Sequence, residues 1–155
     1  VIQIVLLFVI YTNHSSYLAP PGALCYDEME KRGCNMFQQD WILRQIEMIG
    51  VILARLLFGK DKPDYEIVEK EKLSDSDQLY IELIRMLDEG KINEAENRLY
   101  EELDPARLPM LELALAFYSR LNQFDDAYLE AHNYSRQEIE EGLHAVTKLF
   151  GIQME

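Results

Sequence analysis

The stretch "MFQQDWILRQIEMIGVILARLLFG", residues 36–59, determines the fold that we predict for this chain. When its residues are placed at 100° intervals around a helix, the apolar side chains cover an arc of roughly 220°, about twice what one core requires. The remaining polar face is defined by four charged residues, Asp40, Arg44, Glu47 and Arg55. We therefore predict a long apolar helix from Met36 to Phe58 that is covered on two sides.

Two interpretations remain for what packs against this helix. Helical hairpins of the same chain could enclose it as a central helix, or one margin could meet a partner, either a second copy or another protein. An aromatic side chain and a flexible thioether commonly mark an interface, and we predict one at Trp41, Met48 and Ile52. The opposite margin, with Leu43, Ile46 and Leu57, would then face the domain's own core. Binding to a membrane surface is disfavoured because the polar face is not rich in Lys and Arg.

The rest of the chain also shows helical periodicity, and no segment alternates strictly as a strand would. Ser74 or Ser76 is predicted to cap the next helix, and Asn93 the one after it. Pro109 is predicted to interrupt the helical pattern, because proline removes a backbone hydrogen bond from a helix. Ser135 opens a capping box for the last helix. The predicted fold is all-α.

Two segments of the chain, one starting at Leu79 and one at Leu111, resemble each other at a constant offset. Leu79 aligns with Leu111, and Ala95 aligns with Ala127. The offset is close to the period of the tetratricopeptide repeat, about 34 residues, and the paired alanines would lie where two helices cross closely. The early Trp and the Leu-Gly pair of that repeat are missing, so generic antiparallel hairpins remain an alternative. We predict antiparallel, tetratricopeptide-like hairpins packed with the long apolar N-terminal helix and a C-terminal capping helix.

Residues 1–35 differ in character from the remainder. Residues 1–11 form an apolar run that is too short to span a bilayer as a helix, and residues 20–35 show no hydrophobic period. The codons implied by "EKRGCN" read as a purine-rich ribosome-binding site ahead of Met36. We predict that residues 1–35 are a non-native or disordered extension and that residues 36–155 form one domain. This domain contains neither Cys25 nor Cys34, the two cysteines of the chain, which favours a reducing cytoplasm.

Four segments carry a resemblance that covers residues 36–155: "MFQQDWILRQIEMI", "LLFGKD", "LDEGKINEAEN" and "SRQEIEEGLHAVTKLFGI". In these the chain resembles an uncharacterised family, a domain of unknown function, of small acidic helical proteins from Clostridia-type bacteria. The resemblance implies a start equivalent to Met36 and a cytoplasmic location, and it implies no activity.

The formal net charge of −13, from 28 acidic and 15 basic residues, lies almost entirely after Met36. Phosphate groups and anionic lipids would repel so acidic a body, so nucleic acid is excluded as a partner and a membrane is disfavoured.

The sequence offers few candidate catalytic or metal-binding residues. Glu141 and His144 have the ExxH spacing of di-iron bundles, but those bundles need the motif twice, and it occurs once here. His132 has no sequence-visible acid or nucleophile partner. We therefore expect no catalytic residue, no metal and no cofactor. The predicted function is a non-enzymatic protein–protein interaction module that self-associates. The alternative is an enzyme or small-ligand binder with an inter-helix pocket near His132 or His144.

Overall fold

The computed structural model describes residues 30–67 and 73–153, with side chains in the first helix described from Gln39 onward. Within these ranges the chain forms six α-helices and no strand, which confirms the all-α prediction for this part. The helices are α1 Glu30–Leu53, α2 Asp75–Asp88, α3 Ile92–Glu102, α4 Leu108–Asn122, α5 Asp126–Ala131 and α6 Arg136–Leu149. None of the described helices is long and apolar enough to cross a membrane.

The first helix differs from the prediction at its N-terminal end and in the winding of its last turn, while its predicted end at Phe58 and Gly59 is confirmed. Its helical backbone begins at Glu30, six residues ahead of the predicted domain start at Met36, while residues 1–29 lie outside the described part. At its C-terminal end the winding changes to a π-helical turn, Ala54–Phe58. Gly59 then ends the helix with φ 66°, and its N–H donates to the Arg55 carbonyl at 3.2 Å. Glycine adopts this left-handed conformation without a Cβ clash, as the sequence predicts.

The predicted caps are confirmed for two helices and wrong for one. Ser74 caps α2, since its hydroxyl accepts from the Asp77 N–H and the Asp77 carboxylate accepts from the Ser74 N–H at 2.8 Å. Ser135 caps α6 by accepting from the Glu138 N–H at 3.3 Å. The predicted cap at Asn93 does not form, because α3 already begins at Ile92, preceded by Lys91 with no side-chain cap.

The most buried helix is α4, which contacts α1, α2 and α6. Its residues Phe117, Tyr118 and Leu121 are completely buried, and apolar side chains from all its sides enter the core. In contrast, α1 gives the core one stripe at helical spacing: Ile42, Ile46, Ile49 and Leu53. The central helix of this domain is therefore α4, and the wide apolar arc of α1 is covered over only part of its width.

The two alanines of the predicted repeat lie in different environments. Ala95 on α3 is completely buried. Ala127 on α5 is exposed and so does not lie at a close helix crossing. The physical reason is that α5 has only six residues and buries Leu129 instead, which leaves Ala127 on its outer side.

Candidate functional site

One side of α1 carries large apolar side chains at the surface. Trp41 is 57% exposed and Leu56 is 54% exposed, while Met48 and Ile52 are half-buried. Because these four residues recur at helical spacing, they form a second stripe about 100° around the helix from the buried one. We refer to Trp41, Met48, Ile52 and Leu56 as the α1 face. The π-helical turn contributes to it, since it buries Ala54 and leaves Leu56 outside.

The helix residues that flank the α1 face carry charges of both signs. Two acidic and two basic residues lie exposed beside it: Asp40, Glu47, Arg44 and Arg55. Arg55 forms an ion pair with Asp61 at 2.9 Å, with both side chains well exposed, so the pair contributes little to stability. With Asp61 counted, three acidic and two basic residues surround the α1 face, so its surroundings are only slightly negative in a chain whose formal net charge is −13.

A cleft of about 170 Å³ lies on the other flank of α1, between α1 and α4. Its residues are Leu43, Ile46, Glu47, Gly50, Pro63, Leu115, Tyr118, Ser119, Asn122, Gln123 and Leu143. Pro63 closes one end by packing on Gly50, where an added Cβ would lie 3.1 Å from the Pro63 Cγ. Neither His132 nor His144 lines this cleft.

Asn122, which lines the cleft, has both ends of its side-chain amide hydrogen-bonded. The Asn122 Nδ2 donates to the Leu43 carbonyl at 3.1 Å, and its Oδ1 accepts from Arg136 at 3.0 Å. Arg136 is buried and also donates to the carbonyls of Asn122 and Phe124 and to the Asp126 carboxylate. A buried guanidinium needs such partners. This network joins α1, α4, α5 and α6, and its role is structural.

His132 is held in place by contacts with Tyr128 and with Gly90. Its Nδ1 lies 2.7 Å from the Tyr128 carbonyl, so this nitrogen carries a proton and donates. The ring packs at 4.3 Å from the Tyr128 ring and against Gly90, where any Cβ would collide with it. Tyr128 in turn donates from its hydroxyl to the Leu87 carbonyl at 2.7 Å. His132 therefore helps to dock α5 on the C-terminal end of α2.

The structure does not bring metal ligands together around His144. His144 is half-buried on α6, and Glu141 is exposed on the same helix. Across the part of the chain that the structure describes, no group of three or more His, Cys, Asp or Glu side chains could hold a metal ion.

A cluster of tyrosines around Glu96 was not predicted from the sequence. The Tyr118 hydroxyl donates to the Glu96 carboxylate at 2.8 Å and lies 3.4 Å from the Tyr100 hydroxyl. The Tyr100 hydroxyl also donates to the Gly142 carbonyl at 3.3 Å. Tyr134 lies buried nearby. Burial, followed by the charge of Glu96, raises the pKa of Tyr118 and of Tyr134, so both phenols stay protonated.

One sequence signal could have pointed to this cluster. Gly142 lies in the middle of α6, where glycine is unfavourable, and an added Cβ would lie 2.5 Å from the Tyr118 hydroxyl. A glycine inside a helix often marks such a close approach. The cluster fills the space between α3, α4 and α6, and its residue Tyr118 also lines the cleft between α1 and α4.

Comparison with known proteins identifies a family and no activity. Neither the curated proteins nor the solved structures gave a match to this chain. The profile of a family of unknown function, DUF6483, matches residues 36–151. The match begins at the residue where the sequence predicts the domain to start, and it includes all of α2 to α6 and most of α1. The chain belongs to this family of unknown function, DUF6483.

Proposed function

We propose that this protein is a non-enzymatic protein–protein interaction module that self-associates through the α1 face. The observation that supports the proposal is the exposure of Trp41, at 57%, directly beside the buried Ile42. The α1 face places four large apolar side chains along about 20 Å of helix. Exposed tryptophan is uncommon on the surface of a monomer and is enriched at the energetic centres of interfaces.

The charge distribution favours a second copy as the partner. Two molecules with a formal net charge of −13 each repel one another over most of their surfaces. The α1 face reduces this repulsion, because Arg44 and Arg55 offset most of the charge of Asp40, Glu47 and Asp61. Two such apolar, nearly neutral surfaces can approach with little repulsion between them.

The arrangement of the helices and the cellular location belong to the same proposal. The packing of α2 against α3, joined through Gly90, supports one antiparallel hairpin of the tetratricopeptide-like kind. The six-residue α5 is short for the second helix of a repeat, so α4 and α5 support a second hairpin more weakly. Residues 36–155 contain no cysteine and so depend on no disulfide, which fits a location in the bacterial cytoplasm.

Light scattering of the full chain tests the proposal. We expect a dimer in the micromolar range for the unmodified protein and a folded monomer for Trp41→Glu, because the new carboxylate stays solvated once the partner is absent. Ile46→Glu is the matched control on the same helix. Ile46 is 2% exposed, so an unpaired carboxylate there should unfold the domain at a cost of several kcal/mol.

Two results would contradict the proposal. A monomer throughout the micromolar range excludes self-association, and a Trp41→Glu variant that unfolds like Ile46→Glu places Trp41 in the core. The alternative of an enzyme or ligand site near His132 or His144 has less support, because neither histidine lines the cleft between α1 and α4.

A further inference from the structure

We infer that two copies of α1 pair antiparallel about Met48, so that Trp41 of each lies against the partner's Arg55. The inference rests on the proposed self-association and adds the orientation and register of the contact. Its basis is the order of apolar and charged residues along the exposed side of α1.

The exposed side of α1, continued by Arg55 in the π-helical turn that follows, has the spacing of a coiled-coil seam. Residues 41, 45, 48, 52 and 55 are separated alternately by four and three positions, which is the interval that keeps side chains facing a partner helix. Three of these positions hold Trp41, Met48 and Ile52, and Gln45 lies half-buried between them. Arg55 closes the seam with a side chain that is 66% exposed. The seam is therefore apolar in its centre, aromatic at one end and cationic at the other.

A two-fold axis through the middle of this seam makes its two ends complementary. In a symmetric dimer, if one residue contacts a second, the second contacts the first in return. With the axis at Met48, Trp41 falls opposite the partner's Arg55, and Gln45 falls opposite the partner's Ile52. A guanidinium stacks well on an indole face, and its attraction to the ring strengthens when water is excluded. Two such contacts form in each dimer.

The parallel arrangement lacks this complementarity. In register, it would set Arg55 beside the partner's Arg55, so that two like charges meet in the contact. It would also pair Trp41 with the partner's Trp41, leaving neither cation over a ring. The order of residues along the seam, from Trp41 to Arg55, therefore selects the antiparallel pair.

Distances between spin labels on the two copies test the orientation. The full chain is used with Cys25→Ser and Cys34→Ser, so that a single new cysteine carries the label. Asp40→Cys lies eight residues from Met48 and Glu47→Cys lies one residue from it, and both positions are exposed beside the seam. In the antiparallel pair the labels at residue 40 are offset along the axis by roughly 24 Å and those at residue 47 by roughly 3 Å. The residue 40 distance should therefore be clearly the longer one.

Different results would contradict the antiparallel orientation and the self-association. Equal distances at residues 40 and 47 in a dimer overturn the antiparallel orientation and leave self-association intact. A monomeric mass by light scattering, with no dipolar coupling at either position, overturns the proposed function itself.

Affinity measurements test the contact between Trp41 and the partner's Arg55. Arg55→Gln should raise the dimer dissociation constant roughly tenfold, since two cation–ring contacts are lost in each dimer. Asp61→Asn is the control, because it removes the ion pair of Arg55 within one copy and leaves the cation free. It should leave the dissociation constant unchanged or lower it. An equal loss of affinity in both variants overturns the predicted contact.

Discussion

The carboxylate of Asp77 links a helix cap to a loop twelve residues upstream. One oxygen accepts from the Ser74 N–H at 2.8 Å and from the Ser74 hydroxyl at 2.7 Å, and the other accepts from the Tyr65 hydroxyl at 3.0 Å. The bond from the Ser74 hydroxyl is the main cause that lowers the pKa of Asp77 below its ordinary value. Burial, helped by the bond to Asp77, raises the pKa of Tyr65 to about 12. Both shifts favour an ionised Asp77 beside a protonated Tyr65.

The lowered pKa of Asp77 makes stability depend on pH in the acid range. Because the folded-state pKa lies below the unfolded value of about 3.9, ionised Asp77 stabilises the fold fully above that value. This contribution is lost as the pH falls below about 4 towards the lower folded-state pKa. Thermal melts followed by circular dichroism at pH 5 and pH 2.5 should show a larger fall in melting temperature for the unmodified chain than for Asp77→Asn. Identical falls would show that the cap does not depend on the charge of Asp77.

Residue-scale prediction succeeded where the partners are close in sequence. The cap of α2 was predicted as Ser74 or Ser76 and that of α6 as Ser135, and Ser74 and Ser135 each bond a group three residues on. The bonds of Tyr118 to Glu96, of Arg136 to Asn122 and of Asn122 to the Leu43 carbonyl join residues 22, 14 and 79 positions apart. No local pattern encodes such distances, so these contacts could be seen only after the helices were packed. The predicted cap at Asn93 is wrong for a local reason. Ile92 is buried as the first residue of α3, so the helix starts one residue before Asn93.

At the scale of helices, two positions that are equivalent in the predicted repeat differ in their burial. Ala95 and Ala127 align in the predicted repeat, yet Ala95 is completely buried and Ala127 is exposed. The difference follows from helix length: α3 has 11 residues and α5 has six. A short helix docks through few side chains, and α5 does so through Leu129, Tyr128 and His132.

Leucine substitutions measure this difference directly. Ala95→Leu should overpack the buried contact and lower the free energy of unfolding by roughly 1–3 kcal/mol. Ala127→Leu, on an exposed position of α5, should change it by less than about 0.5 kcal/mol. Urea unfolding of both variants gives the comparison. Equal losses would mean that Ala127 also lies in a close crossing, and equal tolerance would mean that the crossing at Ala95 can expand.

The helices themselves were predictable, but their depth in the fold was not. Apolar periodicity marks where a helix runs, and it correctly gave the buried stripes with Leu111 and Leu115 in α4 and with Ile139 and Leu143 in α6. The wide apolar arc of α1 suggested a central helix, and α4 takes that place instead. Periodicity reports how much of a helix is apolar, and it does not say which neighbours cover it. The π-helical turn at Ala54–Phe58 likewise has no signature in the apolar pattern.

For the whole molecule, the described core includes the second half of α1. Among the side chains of this helix that are described, from Gln39 onward, the first in the core is Ile42, followed at helical spacing by Ile46 and Ile49. The family match also begins at residue 36, ahead of that core. The helical backbone from Glu30 to Asn35 adds about one and a half turns upstream of both. Removing residues 1–35 therefore leaves the described core intact, and this truncation tests the predicted boundary at Met36.

A chain that begins at Met36 should fold as the full chain does. The truncation keeps Trp41 and every residue of the described core, and a helix of this length loses little when its first turns are removed, since packing supplies most of its stability. We expect its melting temperature to lie within about 2 °C of that of the full chain. Its helicity per residue should not fall, and light scattering should give the same association state. If the shorter chain is insoluble or melts well below the full chain, residues 1–35 are structural and the domain boundary is wrong. If it folds but no longer associates, the upstream residues belong to the interface, because the α1 face alone would then be insufficient to hold two copies together.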